Sequence, residues 1–441
     1  MKKICFLNSG CGSHKETFRR IFKSVEHAYI LTSMPHKADV IIDYFCAVTQ
    51  HGCVKNIPSE LLYLSKLKKE GATLIICGCA VDAIGKDFFL SLGFVDYAVG
   101  SQNFLQEILD ILNFKCSDHY YIEDDEFRFF IDICNGCAKK NGWCSFCKQH
   151  YLRKPVKSMQ FDEVCRLATE ITSTTSVFVI SLGALNICNY GIDFGDRKPK
   201  LHLLIQALSK IPTVKFIELY SLTASCMYEE LIEEIATNDK IILVELPMQS
   251  GSDSVLNVMN TGATVSELQM LLDRLSHKPM RSIFVTSHPY ETMEDVQKTI
   301  DFIEKNNLWY PVVTSCKSSE GTPTYQMEQL GEEEYHEHYD LIAKTVLRLQ
   351  DKFLNGLVGT FVYGYLFSLT RYEKDDMANI RLQAKDFRGQ VIVRIKNYSS
   401  SHYKPILDSV EEGNLAKARI TSILSNDAST IAFLAEDLEV L

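Results

Sequence analysis

Four cysteines fall within fourteen residues: Cys134, Cys137, Cys144 and Cys147. The last two form a C-x2-C pair with Phe146 inside it, and Cys137 stands a short loop upstream in the pair Gly136-Cys137. Iron–sulfur clusters are held by cysteine thiolates on compact loops. Three such ligands on a four-iron cluster leave one iron open to bind and reduce a cofactor. The loop therefore points to chemistry and not only to structure. The chain carries fifteen cysteines and opens on a short strand rather than a signal peptide. This usage fits a reducing, cytoplasmic interior, where clustered thiols bind metal or do catalysis more often than they form disulfides.

Three further cysteines are placed by the elements before them. Residues 3–7, 38–44, 73–77 and 95–99 read as short strands, with helical stretches such as 59–70 between them. That alternation predicts a parallel sheet flanked by helices. Cys11, Cys46 and Cys79 each follow one of these strands. Ligands gather at the carboxyl ends of parallel strands, so the three thiols are expected to share one sheet edge and hold a metal. Cys5 and Cys77, inside strands, suit the role of small buried hydrophobes instead.

At 441 residues, 46% apolar and 23% charged, the chain has the composition of a soluble globular protein of two or three domains. The first domain spans 1–116. Residues 117–129, with Glu123, Asp124, Asp125 and Glu126, read as a linker. From 130 to 356 the βα pattern resumes, with strands expected at 177–182, 215–220, 241–246, 282–286 and 311–315. Helices are expected at 161–171 and 293–305. Five or six such units suit a partial or full α/β barrel whose chemistry sits at the C-terminal strand ends. Residues 357–441 change to short alternating runs and read as a small β-barrel. The overall class is α/β. No apolar run reaches membrane-spanning length. The net charge of −10 excludes a wholly basic nucleic-acid-binding surface, though not a local basic patch.

The cysteine loop and the three post-strand cysteines together resemble the radical S-adenosylmethionine methylthiotransferases. Glu245 to Asp253 (ELPMQSGSD) is similar to that family's Pro-x-Gln-Ser-Gly-Ser strand end. His288 to Asp295 (HPYETMED) resembles its Pro-Gly-Glu-Thr-x-x-Asp turn, and Glu320-Gly321-Thr322-Pro323 its Pro-Gly-Thr-Pro. The domain order agrees, with the last domain corresponding to a TRAM-type barrel. The resemblance implies two [4Fe-4S] clusters and S-adenosylmethionine. Cys137, Cys144 and Cys147 would hold the cluster that splits the cofactor to a 5′-deoxyadenosyl radical. Cys11, Cys46 and Cys79 would hold an auxiliary cluster that presents sulfur. Phe146 would lie near the adenine, and Gly183, Gln249, Ser250 and Asp253 would contact cofactor or substrate. Arg153 matches a basic family position. No catalytic residue is assigned beyond the clusters, because the cofactors carry the hard chemistry. The implied partners are tRNA or a protein substrate, and an electron donor such as a flavodoxin or ferredoxin.

The chain departs from the family pattern in several places. Its spacing is C-x6-C where the family has C-x3-C, the longer loop containing Lys139, Lys140, Asn141 and Gly142. Cys134 is an alternative first ligand, although Gly136-Cys137 matches the family pair. The family's Gly-Gln-Asn/Asp reads Gly183-Ala184-Leu185, its downstream arginine position reads Thr261, and its Gly-Phe-Pro-Gly turn reads Ser287-His288-Pro289-Tyr290. Family members modify a hypermodified adenosine beside the tRNA anticodon or an aspartate of a ribosomal protein. Residues 359–441 hold 10 Lys plus Arg against 11 Asp plus Glu, a net of −1, yet include Arg371, Lys374, Arg381, Lys385, Arg388, Arg394 and Lys396. The tRNA substrate is preferred on the family pattern, and a protein or peptide is second. A lapsed cluster protein that binds RNA or senses redox state is the reading outside enzymology.

Overall fold

The computed structural model describes residues 1–9, 15–45, 59–101, 104–117, 119–120, 127–149, 155–318, 320–385, 390–401, 403–408, 411, 413–426 and 431–441. Cys11, Cys46, Arg153 and Arg388 lie outside the described residues.

The N-terminal sheet contains β1 (Lys2–Ser9), β2 (Tyr29–Leu31), β3 (Val40–Phe45), β4 (Thr73–Cys77) and β5 (Tyr97–Val99), in the order β2-β1-β3-β4-β5. All its pairings are parallel. Every residue of β3 is buried, as expected of a central strand covered by helices on both faces. Asp43 is the polar exception there. It raises the pKa of Cys5 and Cys77, though burial does so more. Cys5 and Cys77 themselves are fully buried.

The central sheet contains β6 (Arg128–Asn135), β7 (Lys157–Ser158), β8 (Val179–Ala184), β9 (Phe216–Leu219), β10 (Ile241–Gln249), β11 (Met280–Thr286) and β12 (Val312–Ser315). Their order is β12-β11-β10-β9-β8-β6-β7, with β7 antiparallel at one edge. The sheet is thus open, a partial and not a full barrel. β6 begins inside the stretch expected to be linker, because Phe127 and Arg128 already pack against later domains. Along β6 the residues alternate: Phe129, Ile131 and Ile133 are buried in the main hydrophobic core, while Arg128, Phe130 and Asp132 take the other face.

That second face is polar. Glu218 accepts from Arg128 Nε at 2.8 Å, Ser181 Oγ at 2.6 Å and the Tyr220 hydroxyl at 3.0 Å. Arg281 pairs with Glu245 at 3.1 Å. Burial pushes the Asp132 carboxyl up to about 7. A sheet face lined this way holds polar groups in a low-dielectric setting, where a ligand can use them.

The long helix Glu332–Leu357 leads into the last module: β13 (Phe361–Tyr372), β14 (Met377–Ala384), β15 (Gln390–Lys396), β16 (Leu415–Asn426) and β17 (Ile431–Val440). These close in the order β13-β14-β15-β17-β16 around a core that includes Ile380, Leu382, Val391, Val393 and Phe433. The barrel sits at the N-terminal ends of the central strands. Phe127, Phe178 and Phe216 meet Tyr365 and Phe367 there, with Phe127 stacked on Phe367 at 4.2 Å and Phe216 against Tyr365 at 3.8 Å. Arg128 Nη2 reaches across to Gln383 at 2.7 Å.

Candidate functional site

The cysteine loop leaves β6 at its C-terminal end, the opposite end from the barrel. Gly136 and Gly142 both adopt positive φ of 83°, a conformation that costs a side-chain-bearing residue energy. These two residues let the loop turn out of the strand and back again. Its hold on the rest of the molecule comes from three neighbouring strand ends. After β8, Asn189 Oδ1 accepts from the Ala138 amide at 2.8 Å, and its Nδ2 donates to the Ala138 carbonyl at 3.2 Å. After β10, the turn at Asn260 carries most of the docking. Asn260 Nδ2 donates to the carbonyls of Asn141 at 2.9 Å and Trp143 at 2.7 Å, and Asn141 Nδ2 donates back to Asn260 at 2.9 Å. After β11, His288 Nε2 meets Ser145 Oγ at 3.2 Å. Burial lowers the pKa of His288 to about 4, so this contact is made by a neutral ring.

Each of the three loop sulfurs expected to bind iron meets an N–H donor. Asn186 Nδ2 lies 3.5 Å from Cys137 Sγ, and Lys139 Nζ lies 3.0 Å from Cys144 Sγ. The Gln149 amide donates to Cys147. The three thiols also feel one another electrostatically. Burial raises the pKa of Cys137 and pushes Cys147 up to about 11, and Cys144 adds to both shifts. Cys134 behaves differently. It is 3% exposed inside the core, its thiol donates to the Asn186 carbonyl at 3.7 Å, and burial raises its pKa well above the usual thiol range. Sulfur that accepts N–H bonds at a half-exposed position has the chemistry of a thiolate ligand. Sulfur that donates inside a core does not. Among the described residues no three Cys, His, Asp or Glu side chains converge to hold a single metal ion. A four-iron cluster puts each thiolate on a different iron, so a wider set of sulfurs suits it.

The other expected contact residues sit around this loop with uneven freedom. Phe146 packs on Val255, Met259, Val285 and Cys316, a small apolar cluster. Gly183 lies in β8, where a Cβ would come within 2.1 Å of the Phe130 ring, so the glycine is required by close packing. Ser250 Oγ is 3.1 Å from Thr299 Oγ1, in the helix Met293–Lys305. Asp253 accepts from the Val265 amide at 2.7 Å. Both are committed to bonds within the fold. Gln249 is strained at a φ of 68°, and its buried Oε1 has no protein partner. A buried polar atom of this kind calls for a ligand or water. Of the contact set, Gln249 is the one with a buried polar atom left without a protein partner.

The loop 250–254 is clamped by Asp295, which accepts from Ser252 Oγ at 2.6 Å and from Ser254 Oγ. Asp295 also forms a capping box with Thr292. Burial would raise this carboxyl, but these hydrogen bonds hold it at about 2. Glu291 plays the matching part in the preceding turn, accepting from Thr286 Oγ1 at 2.7 Å and facing His338 Nδ1 at 3.1 Å.

Sequence reasoning missed two thiols. Cys226 Sγ lies 3.3 Å from the same Asn186 Nδ2 that faces Cys137, and Cys188 is buried beside both. Both follow central strands, and that position was the available signal. In the N-terminal domain, Cys79 opens the short helix Cys79–Ile84, with its thiol 3.9 Å from the Phe45 carbonyl at the end of β3. Cys79 thus adjoins the residue that precedes Cys46.

Residues 131–303 match the family described as the radical SAM superfamily. The chain is 29% identical to a tRNA-2-methylthio-N(6)-dimethylallyladenosine synthase from Aliarcobacter butzleri (strain RM4018) over 325 residues, covering 69% of this chain and 73% of the relative. It is 25% identical to a ribosomal protein uS12 methylthiotransferase RimO from Clostridium botulinum (strain Eklund 17B / Type B) over 350 residues, 74% of this chain and 77% of the relative. Among solved structures it is similar, at 10% identity and a TM-score of 0.46, to the cobalamin-dependent S-adenosylmethionine radical enzyme OxsB. That match takes in 80% of this chain and 56% of the other. The domain match and the curated relatives together support a divergent member of the radical SAM methylthiotransferase family.

Proposed function

We propose that this protein replaces a C–H hydrogen with a methylthio group on tRNA, at a hypermodified adenosine beside the anticodon. The observation that carries the reading is the trio Cys137, Cys144 and Cys147, each sulfur met by an N–H donor at the C-terminal ends of the central strands. These three residues would hold a [4Fe-4S] cluster, and Cys11, Cys46 and Cys79 a second one. With S-adenosylmethionine bound, such a cluster supplies the one-electron chemistry that removes hydrogen from an unactivated carbon. The chain's own residues orient and exclude. Asn189, Asn260 and His288 hold the loop in place, Gln249 offers an unpaired amide oxygen to the cofactor or substrate, and the polar face of β6 to β11 receives the target group.

The barrel supports an RNA substrate. Arg394 pairs across from Asn379, and Lys396 from Met377, so that Arg381, Arg394 and Lys396 share the outward face of β14 and β15. All three are exposed, and Tyr372, opposite Met377, is 42% exposed beside them. Cations and an aromatic on one face suit a phosphate backbone and a base. The barrel's net charge of −1 and the uS12-modifying relatives favour the second reading, a protein or peptide side chain. Among the described residues no helix is long and apolar enough to cross a membrane.

The test is anaerobic reconstitution followed by mass spectrometry of tRNA and small proteins from cells with and without the gene. A gain of about 46 Da on tRNA, for H replaced by SCH3, is the expected result. The same gain on a protein moves the substrate to the second reading. Intact clusters that release no 5′-deoxyadenosine on reduction would make this a lapsed enzyme.

A further inference from the structure

Lys139 belongs to the part of the cysteine loop that is longer than the family spacing. Its ammonium has three N–H groups to place, and all three have partners. One goes to the Asn260 carbonyl at 2.7 Å, one to the Thr261 carbonyl at 3.1 Å and one to Cys144 Sγ at 3.0 Å. The two carbonyls belong to the turn that ends the helix Asp253–Val258, and they fix the ammonium from one side. The third N–H therefore faces the sulfur. Thr261 stands where the family pattern has an arginine. Here a cation reaches the backbone of that residue from the opposite element, the cysteine loop.

We infer that Lys139 is a positioning residue that sets the reduction potential of the cluster held by Cys137, Cys144 and Cys147. This rests on the cluster assignment proposed above. A fixed positive charge donating to a ligand sulfur stabilises the more electron-rich, reduced cluster, since hydrogen bonds to the sulfurs and net charge set such potentials. The lengthened loop thereby carries its own electrostatic support. Asn141, two residues on, anchors it through Asn260. The step affected is the uptake of one electron from the external donor by the oxidised cluster. Lys139 exchanges no proton or bond in it.

The experiment is an anaerobic potentiometric titration followed by electron paramagnetic resonance. It uses full-length protein in which Cys11, Cys46 and Cys79 are alanine, so that one cluster titrates. Lys139→Gln is expected to lower the reduced-to-oxidised ratio at a given potential about tenfold, a fall of about 59 mV for a one-electron couple. Lys139→Arg is expected to stay within about threefold of the parent. Cluster assembly in Lys139→Arg but not in Lys139→Gln overturns the inference, because the charge would then be needed to assemble the cluster and not to set its potential. An unchanged midpoint in Lys139→Gln overturns it, as does loss of the cluster in both variants, which marks a packing role. If the parent protein binds no iron, the cluster assignment itself has failed.

Discussion

The two ends of the central strands are built for different work. At the C-terminal end, short loops carry sulfur and amide groups, and their contacts are hydrogen bonds between side chains and backbone: Asn189 to Ala138, Asn260 to Trp143, His288 to Ser145. At the N-terminal end the contacts are mainly rings, Phe127 on Phe367 and Phe216 on Tyr365, with the Arg128–Gln383 hydrogen bond beside them. Aromatic packing fixes two bodies together through area, while hydrogen bonds fix individual atoms through direction. The reactive end needs the second kind of precision. The gripping end needs a firm seat for a barrel whose cations face outward. On this view chemistry and substrate hold are separable by mutation.

The largest expected effect is at the reactive end. Replacing Cys137, Cys144 or Cys147 with Ala should remove the radical cluster and lower S-adenosylmethionine cleavage by at least about a thousandfold, as loss of a group that acts as a unit does. Cys134→Ala should keep the iron. Iron content and 5′-deoxyadenosine yield check both, and iron lost with Cys134 but kept without Cys137 would reassign the ligand. Next in size is the seam. Phe367→Ala should cost about 3–4 kcal/mol in a urea titration while leaving the iron content unchanged. If the cluster is lost with it, the two ends are not independent.

A smaller effect is expected on the barrel's outer face. Arg394→Glu with Lys396→Glu should weaken tRNA binding about tenfold and reduce the salt dependence by about two phosphate contacts. Cofactor cleavage without tRNA should not change. The smallest effects come from the two buried titratable groups near the loop, and they have opposite signs. Burial lowers the folded-state pKa of His288 to about 4 from an unfolded value of about 6.5. Its contribution is therefore fully present above pH 6.5 and lost as pH falls toward 4. Asp132 is raised to about 7, so its contribution is full below about pH 4 and lost as pH rises through 7. Asp132→Asn should raise the melting temperature at pH 8 and leave it unchanged at pH 4. His288→Ala should cost on the order of 1–2 kcal/mol at pH 8, because it leaves Ser145 Oγ buried without that partner.

Much of the architecture is legible in the chain because strand and helix periods are local. The runs in β3, β4 and β10 announce themselves, whereas β6, which delivers the cysteine loop, is not among the strands expected from the sequence. The open sheet is harder to read, since nothing local says whether β12 and β7 close on each other. The docking of the loop is not legible at all. Asn189, Asn260 and His288 lie far along the chain, and an asparagine in a turn carries no mark of its long-range partner. The same holds for Lys139, which reads as one of two lysines in a polar loop until its ammonium is placed between two carbonyls and a sulfur. Ser250 and Asp253 illustrate the converse. Their motif marks the strand end, yet their hydrogen bonds go to Thr299 and Val265 within the fold, and spacing alone does not distinguish a contact with a cofactor from a contact with a helix.

The central claim, a radical S-adenosylmethionine methylthiotransferase with two separate thiol sets, is tested most directly by one anaerobic assay. The reconstituted protein, reduced in the presence of S-adenosylmethionine and unmodified-background tRNA, is followed for iron, 5′-deoxyadenosine and methylthio-nucleoside. The account predicts roughly eight iron atoms per chain and release of 5′-deoxyadenosine. It also predicts a methylthio product that disappears in Cys79→Ala while cofactor cleavage persists. A Cys79→Ala protein that still transfers sulfur, or a wild-type protein that binds both clusters and cleaves no cofactor, would contradict it.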